Sequence, residues 1–114
     1  MHELSIAEGI LDIVRQYLPE NDHRGVKTVK MKVGTLAGVV PDSLEFCFNA
    51  IIQGTSLQGA ALEIERIPLV VECRQCKARS ELELSMFVCP SCGNGNVTVV
   101  SGQELQVTEI ELEE

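Results

Sequence analysis

The chain has 114 residues, 45% of them hydrophobic and 23% charged, which suits one soluble globular domain with or without a small insert. Seventeen acidic residues against nine basic residues give a formal charge of −8, and nucleic-acid binding, which needs clustered Lys and Arg, is disfavoured. No apolar stretch approaches the ~20 residues that span a bilayer, and the N-terminus lacks the basic and apolar regions of a signal peptide. We therefore expect a cytoplasmic protein without a membrane partner, whose cysteines stay reduced.

Two helices are predicted. Apolar residues recur at helical spacing over residues 4–18, and Ser5 followed by Glu8 has the form of a capping box, so the first helix should begin within the first five residues. Asp42 followed by Glu45 marks the start of the second helix. The predicted stripe of the first helix is Leu4, Ala7, Ile10, Leu11, Val14, Tyr17 and Leu18, and that of the second is Leu44, Cys47, Phe48 and Ile51.

The remaining periodic segments predict strands. They cover residues 26–33, 62–71, 82–84, 97–100 and 105–112. Pro68 indicates an edge or a kink in the second of them, because proline has no N–H for a strand ladder. In the last segment the apolar residues change phase, which predicts a bulge near Thr108 or Glu109.

This element order predicts an α+β fold: two helices on a small three-stranded sheet, with an inserted zinc-ribbon-like module of four cysteines. The predicted domains are an α/β domain, formed by residues 1–70 and 103–114, and a zinc-binding domain of residues 71–102.

Four cysteines form two Cys-x-x-Cys pairs separated by twelve residues: Cys73 with Cys76, and Cys89 with Cys92. Two such turns brought together supply the tetrahedral thiolate set that zinc prefers. Four thiolates leave no open coordination position, so the predicted zinc is structural and not catalytic. Gly93, directly after the second pair, suits a left-handed backbone. Cys47, at helical spacing with apolar neighbours, is interpreted as a small core residue.

The N-terminus offers a second set of metal ligands. Because His2 is too large for removal of the preceding methionine, we expect Met1 to keep a free amine. That amine, the amide and imidazole nitrogens of His2 and the amide of Glu3 could provide four nitrogens in a plane. A planar nitrogen set suits Ni(II) or Cu(II).

Several motifs together resemble the HypA/HybF family along the entire chain, in the right order. They are Met1-His2-Glu3-Leu4, Val33-Gly34-Thr35-Leu36, Pro41-Asp42-Ser43-Leu44-Glu45-Phe46 and the two cysteine pairs. The resemblance implies a nickel metallochaperone that serves the hydrogenase large subunit together with a HypB-type GTPase, and in some organisms urease. It implies transported Ni²⁺ at Met1, His2 and Glu3, in the α/β domain, and structural Zn²⁺ at the four cysteines. It also implies that Asp42 approaches the nickel.

Two other interpretations remain. Arg74, Lys77 and Arg79 cluster on the first cysteine pair, so the module could be a zinc ribbon that binds nucleic acid or a protein partner. An enzyme is disfavoured because the sequence has no open metal site, no Ser/His/Asp set and no glycine-rich phosphate loop. The sequence leaves open whether the protein is a monomer or a homodimer.

Overall fold

The computed structural model describes residues 3–18, 25–83 and 87–113. These residues form two α-helices, a short 3₁₀ helix at Thr35–Ala37 and six strands. The elements are α1 (Glu3–Tyr17), β1 (Val26–Gly34), α2 (Pro41–Ile51), β2 (Ala61–Ile67), β3 (Val70–Cys73), β4 (Arg79–Glu81), β5 (Val97–Ser101) and β6 (Leu105–Leu112). The predicted fold class, two helices with a small three-stranded sheet and a four-cysteine module, is confirmed. None of the helices in the described ranges is long and apolar enough to cross a membrane.

The strands form two sheets where the sequence predicted one. The first has the order β2-β1-β6 and the second the order β4-β3-β5. The predicted single strand at 62–71 is wrong, because it breaks at Pro68 and Leu69 and its two halves join different sheets. Pro68, where the sequence predicted an edge or a kink, lies at this break: the residue cannot donate to a ladder, and its carbonyl accepts a hydrogen bond from the Ser101 hydroxyl (2.9 Å).

The strand predicted at residues 82–84 lies a few residues earlier, as β4, and Leu84 itself is outside the described residues. β4 pairs antiparallel with β3 in a register that places Arg79 opposite Glu72. The Arg79 Nε donates to the Glu72 carboxylate at 3.2 Å. Pairing with β3, with opposite charges facing each other at Arg79 and Glu72, places the strand at 79–81, although the sequence there has no apolar alternation.

The buried face of α1 consists of Ala7, Ile10, Leu11 and Val14, as the periodicity predicts. Two positions at the ends of the predicted stripe are exposed instead of buried: Leu4 is 49% exposed and Tyr17 is 72% exposed. The capping-box prediction is wrong: α1 begins at Glu3, so Ser5 lies inside the helix and does not cap it. The start within the first five residues is nevertheless confirmed.

Helix α2 begins at Pro41, one residue before the predicted start, and Asp42 lies in its first turn. Proline is favourable at the first helical position because its missing N–H would have no intrahelical partner there. Leu44 and Phe48 are fully buried, whereas Cys47 and Ile51 are half-buried. The two α-helices pack against each other.

The predicted bulge in β6 agrees with its burial pattern but stays a prediction. Val107 and Ile110 are both half-buried, and the two residues between them, Thr108 and Glu109, are exposed. A regular strand would instead alternate at every second residue.

The chain divides into two compact units. The helical unit contains α1, α2 and most of the first sheet. The cysteine unit comprises Val33–Gly38 and Arg66–Leu105 and contains the second sheet. Within the cysteine unit the chain crosses itself closely: a Cβ on Gly34 would lie 2.1 Å from the Gly102 carbonyl oxygen, so only glycine fits. The predicted boundaries at 70/71 and 102/103 stay predictions.

Candidate metal centre

The four cysteines lie in two turns of the cysteine unit. Cys73 ends β3 and Cys76 follows in the turn after it, while Cys89 and Cys92 lie in the turn that precedes β5. The Sγ atoms of Cys73 and Cys92 are 3.6 Å apart, as are those of Cys76 and Cys89. All four sulfur atoms lie within 4.8 Å of one another. The structure therefore brings together the full cysteine set that the sequence predicts.

The two turns have the same backbone hydrogen bonds. In the first, the N–H of Lys77 donates to the Cys73 carbonyl (3.0 Å), and the N–H of Cys73 donates to the Ala78 carbonyl (2.9 Å). In the second, the N–H groups of Gly93 and Cys89 make the equivalent bonds at 2.7 and 2.8 Å. The two Cys-x-x-Cys turns are thus two copies of one local structure.

The residue directly after each pair has a left-handed backbone. Gly93 has φ +75°, as the sequence predicts, and Lys77 has φ 64° at the equivalent position. Lys77 is the only non-glycine residue with positive φ among those the structure describes. The sequence analysis missed this feature of Lys77; superimposing the two Cys-x-x-Cys motifs on each other would have indicated it.

Asn94 connects the two turns. Its side-chain N–H donates to the Gln75 side chain in the first turn, its Oδ1 accepts from the Asn96 N–H (2.7 Å), and its carbonyl accepts from Cys89. One side chain thereby links the two cysteine turns directly. Neither Asn94 nor Gln75 carries a sequence signal that would have singled it out.

Burial and hydrogen bonding divide the cysteines into an inner and an outer pair. Cys73 and Cys89 are buried, whereas Cys76 and Cys92 are exposed. A hydrogen bond from the Cys76 N–H to the Cys73 sulfur (3.4 Å) lowers the pKa of Cys73 to about 6. The backbone N–H of Cys92 likewise lowers the pKa of Cys89.

In the outer pair, Cys76 and Cys92, the pKa values are raised instead of lowered. The Asn94 N–H favours the Cys92 thiolate, but the sulfurs of Cys73, Cys89 and Cys76 together with burial outweigh it and raise the pKa of Cys92 to about 12. At Cys76 the Ala78 N–H acts to lower the pKa, and the sulfurs of Cys89 and Cys73 raise it overall. Four negative charges this close cannot coexist without a counter-charge. A divalent cation at the centre is the group that would allow all four thiols to ionise.

The donor set fits zinc. With Zn–S bonds of ~2.3 Å, the sulfur atoms of a tetrahedral site are separated by about 3.8 Å. The two measured separations of 3.6 Å are close to that value. Soft thiolates in a tetrahedron select zinc or an iron–sulfur cluster over harder metals.

The basic residues on the first turn are largely engaged with the unit itself. The Arg74 Nε donates to the Thr98 hydroxyl (2.9 Å), and Arg79 is paired with Glu72. The sequence of the cysteine unit has four basic and four acidic residues: Arg66, Arg74, Lys77 and Arg79 against Glu72, Glu81, Glu83 and Glu104. This balance disfavours the nucleic-acid interpretation, since it leaves no excess of positive charge.

Of the predicted nickel ligands, Met1 and His2 lie outside the described residues. Glu3 lies in the first turn of α1, and its carboxylate accepts a hydrogen bond from the Val40 N–H. Asp42 is exposed in the first turn of α2. Cys47 is half-buried and is not a member of the four-cysteine group among the described residues. The nickel site stays a prediction.

The fold and the cysteine site together define a class of small α+β proteins with a four-cysteine metal centre. The sequence model of the HypA family, described as hydrogenase/urease nickel incorporation, metallochaperone, matches residues 1–112. The chain belongs to the HypA family.

Individual relatives agree with this assignment. The hydrogenase maturation factor HypA of Geotalea uraniireducens is 44% identical over 113 residues, covering 99% of this chain and 100% of that protein. That of a Nostoc species is 41% identical over 114 residues, covering 100% of this chain and 97% of that protein. The solution structure of the Ni metallochaperone HypA from Helicobacter pylori has a TM-score of 0.65 at 20% identity and covers 98% of this chain and 97% of its own. At that identity, the structural likeness supports the fold alone.

Proposed function

We propose that this chain is a nickel metallochaperone: it binds Ni(II) at its N-terminus and delivers it to the hydrogenase large subunit during maturation. The observation that carries this proposal is the family match over residues 1–112, which includes both the N-terminal motif and the four cysteines. The relatives at 41–44% identity are hydrogenase maturation factors. Urease is the second client class, because the family description names it. The protein acts as a carrier and not as an enzyme.

The proposed nickel site consists of the Met1 amine, His2 and Glu3. Nickel is the cargo here, so the site must release it as well as bind it. A cation at the N-terminal end of a helix meets the positive end of the helix dipole, which costs ~0.3–1 kcal/mol. The acidic Glu3 in the first turn of α1 offsets part of this cost. We therefore expect an exchangeable site of moderate affinity.

In this proposal the four cysteines hold one structural zinc ion. Zinc bound by four thiolates has no open position for a substrate, so it stabilises the turns and does no chemistry. The sulfur separations, the inner cysteines with lowered pKa and the Asn94 bridge all support this role. The proposed partners are the hydrogenase large subunit and a HypB-type GTPase, in the cytoplasm.

Transfer of nickel to the client tests the proposal. The chain is loaded with one equivalent of Ni²⁺, mixed with the purified nickel-free precursor of the hydrogenase large subunit, and separated from it again. We expect nickel to appear on the precursor with the wild-type chain and not with His2→Ala. Equal transfer by both would exclude the N-terminal site as the source, and no transfer by either would exclude delivery.

A further inference from the structure

Helix α2 carries an aromatic residue on the side that faces away from the core. Phe46 is 75% exposed, more than any other large hydrophobic residue among those described. Leu44 and Phe48, two residues to either side, are fully buried. With 3.6 residues per turn, a residue midway between these two points to the opposite side of the helix. The solvent face of α2 thus exposes most of a phenyl ring.

Two more exposed apolar residues lie near the N-terminal ends of the two helices. Val40, which precedes α2, is 56% exposed, and Leu4 in α1 is 49% exposed. The hydrogen bond from the Val40 N–H to the Glu3 carboxylate (3.4 Å) brings the first turn of α1 next to Val40. We call the exposed face of α2 around Phe46 the Phe46 surface; its N-terminal end adjoins Val40.

Acidic residues accompany the Phe46 surface. Glu3 adjoins Leu4 in the chain, Glu45 adjoins Phe46, and Asp42 lies one helical turn before Phe46. Because the cysteine unit has equal numbers of basic and acidic residues, the formal charge of −8 falls entirely on the remainder of the sequence. A second copy of this chain would bring like charges together, whereas a basic partner would be attracted.

We infer that the Phe46 surface docks the protein that receives the metal, through an apolar pocket for Phe46 edged by Lys or Arg residues. This inference rests on the proposed function, because metal passes between proteins only where their sites approach closely. Glu3, a proposed nickel ligand, accepts a hydrogen bond from Val40, and Val40 precedes Phe46 by about 9 Å along the helix axis, so a partner seated on this surface lies close to the N-terminal site. An aromatic anchor with a polar rim is a common composition of a protein interface.

The test compares two exposed aromatic residues of the helical unit. Phe46→Ala is matched with Tyr17→Ala, since Tyr17 on α1 is 72% exposed. Binding to the purified nickel-free large-subunit precursor is measured by calorimetry, together with nickel binding and thermal unfolding of each variant. We expect Phe46→Ala to weaken precursor binding by about 30-fold or more, and Tyr17→Ala by less than about threefold. Both should bind nickel and unfold like the wild type, because neither side chain is buried.

The effect of charge on the association rate provides a second test of the inference. Glu45→Lys should slow association with the precursor and reduce its dependence on ionic strength. Unchanged precursor binding by Phe46→Ala, or equal losses in both aromatic variants, would overturn the inference. So would a wild-type chain that binds nickel but not the precursor, or a Phe46→Ala defect confined to the GTPase or to self-association. Failure of the wild type to bind nickel would instead overturn the proposed function.

Discussion

The carboxylate of Glu3 accepts a hydrogen bond from the backbone N–H of Val40 at 3.4 Å. Glu3 lies in the first turn of α1, and Val40 directly precedes α2, so this bond links the N-terminal ends of the two helices. The side chain of Glu3 therefore has a structural partner within the helical unit, and we assign metal binding to the backbone nitrogen of Glu3.

This division of roles predicts that Glu3→Gln binds nickel with an affinity within about threefold of the wild type. The glutamine carbonyl can still accept from Val40, and the backbone nitrogen is unchanged. Calorimetric titration with Ni²⁺ measures the effect, with His2→Ala as the reference for loss of a ligand. A decrease of more than about tenfold for Glu3→Gln would identify the carboxylate as the ligand.

Lys77 and Gly93, the left-handed residues of the two cysteine turns, predict that substitutions at these two positions change the stability of the protein in opposite directions. Lys77→Gly should stabilise the zinc-loaded protein, because a non-glycine residue in this conformation costs ~1 kcal/mol. Gly93→Ala should destabilise it by about the same free energy. A Cβ at Gly93 meets no atom within 4 Å, so only backbone strain contributes there. Denaturant unfolding of the zinc-loaded variants measures both effects; equal signs would show that the two turns are not equivalent.

Zinc affinity should depend steeply on pH. At pH 7 the lowered pKa of Cys73, about 6, leaves it mostly ionised, whereas the raised pKa of Cys92, about 12, keeps it protonated. The pKa of Cys76 is also raised, so Cys76 and Cys92 should each release a proton on binding, and affinity should fall at least about 100-fold from pH 8 to pH 7. Below pH 6 Cys73 protonates too, and the decrease steepens. Competition with a chelator at several pH values measures this slope, and an affinity independent of pH would contradict it.

Loss of zinc should loosen the cysteine unit more than the helical unit. The helical unit buries its own core, which includes Val14, Val29, Leu44 and Phe48. In the cysteine unit the turns rely on few apolar residues besides Leu69 and Val71. Cys89→Ser should therefore release the metal and speed amide exchange in residues 73–92 while the helices stay protected. Uniform loss of protection across the chain would show one cooperative unit instead.

The sequence predicted those features that follow from local periodicity or fixed spacing. The buried face of α1 is one example, because its four core positions repeat at helical spacing. The four-cysteine grouping is another, since two Cys-x-x-Cys turns have few other uses in a reduced protein.

Features set by contacts distant in the chain were missed. β4 forms by pairing with β3, where Arg79 lies opposite Glu72, and its own sequence lacks alternation. The role of Asn94 depends on Gln75, nineteen residues away. β4 and the contact between Asn94 and Gln75 arise only when the second sheet forms. The sequence predicted one strand over residues 62–71, and that prediction gave no indication of a second sheet.

The most direct test of the nickel site is a titration that changes the terminal amine alone. A terminal amine has a pKa near ~7.7 and must lose its proton to bind metal, so blocking it should remove one ligand. The untagged chain is compared with a chain carrying a neutral Gly/Ser extension of several residues before Met1, and with His2→Ala. Zinc content, measured in each sample, serves as the control for the cysteine site.

We expect the extension to weaken nickel binding about as much as His2→Ala, with one zinc retained per chain in both variants. In the untagged chain, nickel affinity should also fall below neutral pH, as the amine becomes protonated. If the extended chain bound nickel as tightly as the untagged one, the amine would not be a ligand. The site would then have to consist of His2 with side chains such as Glu3 or Asp42.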